Sequence, residues 1–321
     1  MRRRSLLVFA LFAAANLAPR RSRGAGDIFR LTDPRGDDHG SGSLVYPLRD
    51  DLHPGDLDLV SLVAKEDPQG TLFEATFAHP IAPPPRRPID ELGQTLDRVA
   101  RHGFYTFNLD VYIDTDRVPG SGQLALLPGR RAEVDPSTAW DKAICLTPRP
   151  ALAHDMMGNF LKGYARRDMK ARLGRIDSAE FETIKKGIER DLDSRIFFPT
   201  QVRVEGAKVS FVVPVSFLLG RAKADWSYVV VVTAADFDPR ASATATLGLT
   251  EGPADNLMIV PVAATPSPGR FGGAPEEDEF APPLVDIVVP PGKSQEAVLK
   301  DYDPAKKRLV RLPGVVPAET R

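Results

Sequence analysis

The feature that most constrains the fold is a succession of short segments with a β-type pattern. In residues 104–114 the odd positions are apolar, and from Thr106 onward most even positions are polar. A period of two is typical of a strand with one face on a core and the other in water. Related patterns recur at 57–64, 73–77, 201–205, 208–213, 257–262 and 284–289. About ten strands at short spacing predict an all-β chain and favour a β-sandwich over a parallel α/β sheet.

Two further segments refine this prediction. Residues 226–233 are almost continuously apolar and rich in valine, which is typical of a central strand buried on both faces. Between residues 155 and 195 the apolar period becomes helical, with Gly174 near the middle. Asp177, followed three residues later by Glu180, fits a helix capping box. We therefore expect a helical hairpin, residues 155–195, inserted into the β-domain.

The N-terminus has the layout of an export signal. Arg2, Arg3 and Arg4 precede an apolar run that extends from Leu6 to Ala15. That run is shorter than the roughly 20 apolar residues needed to span a bilayer. We expect cleavage after Ala15, with an uncleaved anchor as the alternative. Residues 1–25 are thus predicted to be a signal peptide and linker, 26–315 a single domain, and 316–321 a tail.

The composition argues against several classes of protein. The single cysteine, Cys145, allows no internal disulfide and has no nearby histidine pattern, so it is interpreted as a buried, inert thiol. Lys and Arg total 42 against 43 Asp and Glu, a balance that argues against a nucleic-acid partner. No second hydrophobic segment is long enough to span a membrane once the signal is removed. We expect an exported protein, secreted or periplasmic.

The densest polar motif is the string DPRGDDHGSG at residues 33–42. Three carboxylates, those of Asp33, Asp37 and Asp38, lie on a glycine-rich loop and can converge on one hard cation. Calcium takes six to eight oxygen ligands, and a kinked loop lets backbone carbonyls contribute some of them. The alternative is a turn in which the aspartates accept hydrogen bonds from their own backbone amides.

The same string, followed by Tyr46-Pro47 and by GDLDL at 55–59, resembles the C-terminal module of glucodextranase. The chain is similar to this family from about residue 29 to 313. Further matching segments follow in order: 110–116, 139–144, 198–204, 210–214, 226–233, 271–273, 283–287 and 295–299.

The resemblance carries several expectations. The family is similar to family 9 carbohydrate-binding modules and DOMON-like domains, which implies a jelly-roll or immunoglobulin-like β-sandwich. It also implies a non-catalytic, extracytoplasmic module that binds a glucan or a cell-surface glycan, often with structural calcium. We accordingly expect calcium at Asp33, Asp37 and Asp38.

Sugar binding requires aromatic faces and polar groups. Tyr112, with Asn108 and Asp110 on the predicted polar face of one strand, is the candidate glycan-binding set; the alternative is a solvated sandwich face. The two tryptophans, Trp140 and Trp226, are interpreted as core residues rather than sugar platforms.

Other functions have weaker support in the sequence. No carboxylate pair, including Asp114 with Asp116, is placed across a cleft by the sequence, so no catalytic residue is assigned and a glycoside hydrolase is the third alternative. The second alternative is a structural or protein-interaction module of the envelope that uses the helical hairpin as its contact surface. The resemblance to DOMON-like domains also implies, as a further alternative, a haem held by a methionine and His154, although Met156, Met157 and Met169 fit core packing better.

Overall fold

A computed structural model describes residues 26–89, 93–237, 257–275 and 280–317. The predicted signal peptide and the last residues of the predicted tail lie outside these ranges. The described chain is rich in β-structure, with three sheets and five α-helices.

Twelve strands fall within the described ranges. They are β1 (Asp27–Thr32), β2 (Leu59–Asp67), β3 (Gly70–Phe77), β4 (Phe107–Asp114), β5 (Ala132–Val134), β6 (Lys142–Leu146), β7 (Ile196–Phe197), β8 (Val202–Glu205), β9 (Lys208–Pro214), β10 (Ser227–Ala234), β11 (Asp286–Ile287) and β12 (Val310–Leu312). The α-helices are α1 (Leu96–Val99), α2 (Pro150–Leu173), α3 (Ser178–Arg195), α4 (Val215–Leu218) and α5 (Gln295–Leu299).

Two five-stranded sheets form the body of the described chain. The first sheet has the order β1-β2-β3-β9-β8, and all of its pairs are antiparallel. The second sheet has the order β11-β10-β4-β6-β7, antiparallel except for the β6–β7 pair. A small third sheet pairs β5 with β12 in parallel. The order places β10 and β4 inside the second sheet, with neighbours on both sides.

A large hydrophobic cluster contains side chains from both five-stranded sheets. Its aromatic rings make direct contacts between them: the Phe29 and Tyr228 ring centroids are 4.5 Å apart, as are those of Phe77 and Phe107. Burial of each such large side chain stabilises the fold by roughly 1.5–3 kcal/mol. The two sheets therefore share one apolar core.

A second hydrophobic cluster lies on the other face of the second sheet. Tyr112 and Val229 from its strands pack there with Met156, Met157 and Leu192 from the two long helices. Segments around β5 and β12 complete the cover. Because both faces of the second sheet are covered, its central strands β4 and β10 are buried along their whole length.

The prediction for β10 as a central strand is therefore confirmed, whereas the solvent-exposed polar face predicted for residues 104–114 is wrong. Alternation alone shows which side chains share a face of a strand, but it does not reveal what covers that face. The polar residues of β4 are buried because helices, short strands and loops from distant parts of the sequence cover them.

The other strand predictions have mixed outcomes. The hairpin at Gly206 is confirmed: β8 pairs with β9, and Gly206 has a left-handed φ of 58°. Residues 257–262 form only isolated bridges, between Ala235 and Ile259 and between Val262 and Phe271. In residues 284–289 only the two-residue strand β11 forms. The prediction of a regular strand at 257–262 is wrong.

Two helices occupy the predicted helical segment, although α2 begins at Pro150, ahead of residue 155. Gly174 ends α2 in a left-handed conformation, and the Asp177 carboxylate caps α3 by accepting hydrogen bonds from the Ala179 and Glu180 amides. The Glu180 side chain pairs with Arg172 instead of closing the capping box. Among the described residues, neither helix nor any other has the length and apolar character required to cross a membrane.

Candidate metal centre and adjacent cleft

A group of carboxylates meets where the edges of the two large sheets come together. Asp33 follows β1 and Asp58 precedes β2, both in the first sheet, whereas Asp286 lies in the edge strand β11 of the second. One carboxylate oxygen from each of Asp33, Asp37 and Asp286 lies within 4.8 Å of the other two. Residues far apart in the sequence are thus brought to one point.

The loop at residues 33–42 is held against β11 by its backbone. The Gly40 amide donates to the Val285 carbonyl at 2.9 Å. A side chain at Gly40 would place its Cβ 2.8 Å from the Leu284 carbonyl oxygen, and φ there is 58°, so glycine is required. Gln295 adds a second tie, since its amide nitrogen donates to the Asp37 carbonyl and its oxygen accepts from the Ile287 amide. These ties fix the position of Asp37 relative to Asp286.

The carboxylates in this group lack compensating partners. Both oxygens of Asp33 and one oxygen each of Asp37, Asp58 and Asp286 are buried and accept no hydrogen bond from any described residue. The remaining oxygen of Asp286 accepts from the Leu59 amide at 2.6 Å, and that of Asp58 accepts from the Gly36 amide at 2.6 Å. Asp286 itself is 0% exposed.

Electrostatics at the group disfavour the ionised carboxylates. Burial, followed by repulsion from Asp37, raises the pKa of Asp33 to about 8. Burial and repulsion from Asp33 raise the pKa of Asp286 well above its usual range. Burial and the neighbouring Asp58 charge also raise the pKa of Asp37. In the cation-free protein, at least one of these carboxylates is therefore protonated near neutral pH.

The donor set fits a hard cation. Ligands on opposite sides of a calcium ion, each about 2.4 Å from it, are about 4.8 Å apart, so oxygens that lie no farther apart than this can all reach one ion. All converging groups are oxygens, and no histidine or cysteine is among them. Such a set favours calcium, magnesium or manganese over zinc or copper.

The structure brings together two of the three predicted ligands, Asp33 and Asp37. Asp38 lies outside the converging set, because its carboxylate accepts hydrogen bonds from the Tyr46 hydroxyl and, at 2.6 Å, from the Gly55 amide. Asp286 and Asp58 are not among the ligands predicted from the sequence. Each is a single acidic residue within an apolar β-type run, VDIVV or LDLVS, and that pattern indicates a buried charge in need of a partner.

A cleft of about 680 Å³ opens beside the loop. Its lining mixes apolar residues such as Leu44 and Val45 with polar ones, and the polar ones include Asp38, Asp58, Tyr46, His39 and His79. The His39 and His79 side chains are 38% and 53% exposed, so both reach solvent at the rim. Glycine at position 55 lets the His79 ring pack against the backbone, since a Cβ there would lie 2.3 Å from that ring.

The candidate glycan-binding residues on β4 do not face solvent. Asn108, Asp110 and Tyr112 are each about 1% exposed. Asp110 forms a two-pronged ion pair with the fully buried Arg130, at 2.7 and 3.2 Å. The expectation that these residues line an open surface is wrong, because the second hydrophobic cluster covers that face of the sheet.

Hydrogen bonds within the protein use the polar atoms of these residues. The Tyr112 hydroxyl donates to Asp110 at 3.2 Å and accepts from the Leu127 amide at 3.0 Å. The Asn108 amide nitrogen donates to the Thr233 hydroxyl and to the Met258 carbonyl. The Oδ1 of Asn108 is buried and accepts no hydrogen bond from any described residue, whereas the other polar groups of these side chains are engaged. Because their surfaces are covered, these side chains offer no surface for a sugar in this structure.

The remaining aromatic, thiol and haem candidates also lie inside the protein or in ion pairs. Trp140 and Trp226 are 6% and 7% exposed, as core residues would be. Burial and the nearby Asp110 charge raise the pKa of the Cys145 thiol well above its usual range, which agrees with an inert thiol. Met156 is buried in the second cluster, and His154 bonds to Asp193 at 2.9 Å.

The comparison with known families gives the class of protein as a binding module. A family profile described as the C-terminal, SLH-like binding module of glucodextranase matches residues 28–314. The chain belongs to this family, as the sequence resemblance predicted. No curated protein matches the chain.

Proposed function

We propose that this chain is a non-catalytic, exported module that binds a glucan or a cell-surface glycan, with calcium stabilising its fold. The observation that carries the proposal is the match to a glucodextranase binding-module family over residues 28–314, most of the chain. We further infer that the two large sheets form a β-sandwich of the jelly-roll or immunoglobulin type. Their shared core and direct aromatic contacts support this inference.

The cleft beside the loop is the proposed glycan site. Carboxylates such as Asp38 and Asp58 can accept hydrogen bonds from sugar hydroxyls, and imidazoles can donate or accept them. The Tyr46 ring is partly buried against Phe271, at 5.3 Å between centroids, so it is held in a fixed position at the cleft. Few aromatic faces are exposed there, and we therefore expect weak affinity and recognition mainly through hydroxyl groups.

Calcium is proposed at Asp33, Asp37 and Asp286, with Asp58 close by. An ion there would neutralise these carboxylates and would contact buried oxygens that have no hydrogen-bond donor among the described residues. It would also join the first sheet, through Asp33, to the second sheet, through Asp286. Since the ligands come from both sheets, calcium would bind the folded chain far better than the unfolded one, and would thereby stabilise it.

Glycan binding can be tested with a glycan array, followed by calorimetric titration of the best ligand. The His39→Ala/His79→Ala variant should weaken binding at least tenfold, because both imidazoles reach into the cleft. His53→Ala is the matched control: its side chain is 63% exposed and is outside the cleft lining, so binding should stay unchanged. Absence of any glycan signal from the wild-type chain would contradict the glycan proposal.

Calcium stabilisation can be tested by melting the protein in calcium and in chelator. At a calcium concentration of about 100 times Kd, one bound ion stabilises the fold by about 2.7 kcal/mol. Asp286→Asn should reduce this calcium-dependent rise in Tm, whereas Asp135→Asn, a solvent-accessible turn residue, should retain it. Superimposable wild-type melting curves in calcium and chelator would rule out a stabilising ion.

A protein-interaction role is the second candidate, supported by the exposed faces of α2. Tyr164 is 51% exposed and Leu173 is 44% exposed, so both side chains are accessible to a partner. Removal of residues 155–195 would open the second hydrophobic cluster, so surface substitutions are the better test. If Tyr164→Ala/Leu173→Ala abolished capture of an envelope protein while glycan binding survived, this role would be supported.

A glycoside hydrolase is the third candidate. A glycosidase requires two suitably spaced carboxylates, and in the cleft Asp38 and Asp58 are each tied to backbone amides. We infer that these carboxylates maintain the loop instead of performing acid–base chemistry. Release of product from a labelled glucan by the wild-type chain, lost in Asp58→Asn, would overturn the non-catalytic assignment.

A further inference from the structure

A second group of carboxylates lies at the neighbouring ends of β4 and β6. Asp114 ends β4, Asp116 follows it by two residues, and Asp141 immediately precedes β6. The strands pair Ile113 with Lys142, and the Asp141 amide donates to the Ile113 carbonyl at 2.9 Å. One carboxylate oxygen from each of the three aspartates lies within 4.8 Å of the other two.

This group is separate from the first one. β11 pairs through Asp286 with Val232 of β10, and Val232 pairs with Leu109 of β4. At about 3.4 Å per residue, Leu109 and Asp114 are about 17 Å apart along the strand. The two groups therefore cannot share one ion.

Each carboxylate of the second group uses one oxygen to organise the loop that follows β4. The donors are the Arg117 amide to Asp114 at 2.6 Å, the Thr115 amide and hydroxyl to Asp141 at 2.8 and 2.7 Å, and the Val118 amide and Ser121 hydroxyl to Asp116 at 2.8 and 3.0 Å. These bonds account for Oδ1 of Asp114 and Asp116 and Oδ2 of Asp141. One oxygen of each carboxylate is therefore left over.

Buried atoms without partners indicate that something further belongs here. Asp114 is only 2% exposed, yet its Oδ2 accepts no hydrogen bond from any residue that the structure describes. Ser227 is paired directly opposite Asp114, is 1% exposed, and its hydroxyl oxygen likewise has no described partner. A buried carboxylate oxygen without a partner is costly, because it loses its hydration without replacement.

The surrounding charges do not compensate for Asp114. Burial, together with repulsion from Asp141 and Asp116, raises its pKa despite the hydrogen bond from the Arg117 amide. No ion pair joins any of the three carboxylates to a lysine, arginine or histidine within the described ranges. The group thus combines three like charges with a buried oxygen that lacks a donor.

We propose that Asp114, Asp116 and Asp141 bind a second hard divalent cation, with calcium as the preferred ion. Three carboxylate oxygens supply part of the six to eight ligands that calcium takes, and water or loop carbonyls supply the others. Magnesium is usually held by only one or two carboxylates together with several waters, so three converging carboxylates favour calcium. The bound ion would tie the loop after β4 to the start of β6.

The proposal predicts two calcium ions per chain, one at each group. Calorimetric titration of the full chain, stripped with chelator, should give a stoichiometry of two for the wild type. Asp116→Asn/Asp141→Asn should remove one ion, and Asp286→Asn should remove the other. Asp135→Asn is the matched control, because Asp135 accepts from the Ser137 amide and hydroxyl much as Asp116 does from its loop, but belongs to neither group.

Luminescence provides an independent readout that depends on position. Trp140 immediately precedes Asp141, so terbium bound at the second group should be excited through Trp140. Emission sensitised through tryptophan should fall at least fivefold in Asp116→Asn/Asp141→Asn and stay near the wild-type value in Asp286→Asn. Asp116 is exposed, so the single variant Asp116→Asn should fold normally and weaken the site at least tenfold even if the double variant misfolds.

The outcomes separate the two sites. If Asp116→Asn/Asp141→Asn, once shown to be folded, binds as many ions as the wild type, the second site is overturned. It is also overturned if the wild-type chain binds one ion that Asp286→Asn alone removes. If instead the one bound ion is lost only in Asp116→Asn/Asp141→Asn, the second site stands and the first site fails.

Discussion

Two buried carboxylates in the second sheet are placed alike and compensated differently. Asp110 on β4 and Asp286 on β11 are both 1% exposed or less. Asp110 faces the guanidinium of Arg130, which also donates to the Leu257 carbonyl at 2.9 Å and to the Pro128 carbonyl at 3.1 Å. Asp286 faces Asp33 and Asp37, both acidic. One carboxylate has a cation supplied by the chain, and the other does not.

At equal burial, the difference in charge compensation separates a structural ion pair from a candidate ligand site. A buried charge needs an opposite charge or a proton, because the loss of hydration costs several kcal/mol. The protein meets that need for Asp110 with Arg130. For Asp286 the raised pKa favours a proton as the partner, and the proposed calcium ion would replace that proton.

The largest effect on stability is expected when the Asp110–Arg130 ion pair is broken. Arg130→Met leaves the Asp110 charge buried and unpaired, and should lower the free energy of unfolding by about 3–5 kcal/mol. Urea denaturation in chelator measures this without any metal contribution. The double variant Asp110→Asn/Arg130→Met should recover much of the loss. A loss below about 1 kcal/mol in the single variant would mean that the ion pair is not what stabilises Asp110.

The next largest effect is a pH dependence of the free energy of unfolding that arises from Asp33 and Asp286. Burial and Asp37 raise the pKa of Asp33 to about 8, and burial and Asp33 raise that of Asp286. The folded chain therefore holds protons that the unfolded chain has released above about pH 4. This stabilising contribution is complete at low pH and declines as the pH rises to about 8, by up to about 1.4 kcal/mol per pH unit for each proton.

Denaturant titrations between pH 5 and 8 in chelator measure how the free energy of unfolding changes with pH. The wild type is compared with the variant Asp33→Asn/Asp286→Asn. The variant should show a flatter profile, because its amides do not titrate. Burial lowers the pKa of His102, which gives an opposite slope, but this histidine is present in both proteins and cancels in the comparison. Calcium should reverse the wild-type slope, since the ion binds deprotonated carboxylates. If the free energy of unfolding changed with pH in the same way in wild type and variant, Asp33 and Asp286 would not be the source of the pH dependence.

The smallest effect concerns Asp177, a partly exposed carboxylate whose partners are backbone amides instead of a cation or a proton. Asp177 accepts hydrogen bonds from two backbone amides at the start of α3, and those amides lower its pKa. Asp177→Ala should lower Tm by at most about 3 °C through loss of the cap, in calcium and in chelator alike. If the loss of Tm in Asp177→Ala differed between calcium and chelator, the assignment of Asp177 as a capping residue with no part in metal binding would be contradicted.

Much of the fold could be predicted from local pattern. The valine-rich run of β10, the hairpin at Gly206 and the two helices of the hairpin follow from the spacing of apolar residues and from turn and cap residues that act over a few positions. The strand predicted at 257–262 failed because such an apolar run fits a buried connection equally well.

The candidate site could be predicted only in part. A single loop carries Asp33 and Asp37, so their spacing indicated convergence. Asp286 joins them from more than 240 residues further along the chain, and only the meeting of the two sheets places it there. The same limit explains the error on β4, whose polar face is covered by helices and loops that are remote in sequence.

By itself, then, the sequence determined most of the segments that form strands and helices, which family the chain belongs to, and which loop carries an acidic string. These are properties of short stretches and of their order. Only the tertiary structure decided which carboxylates are buried, which have a cation and which have none. Burial and charge compensation depend on neighbours in space, and the packing of two sheets and a helical hairpin assembles those neighbours from the whole chain.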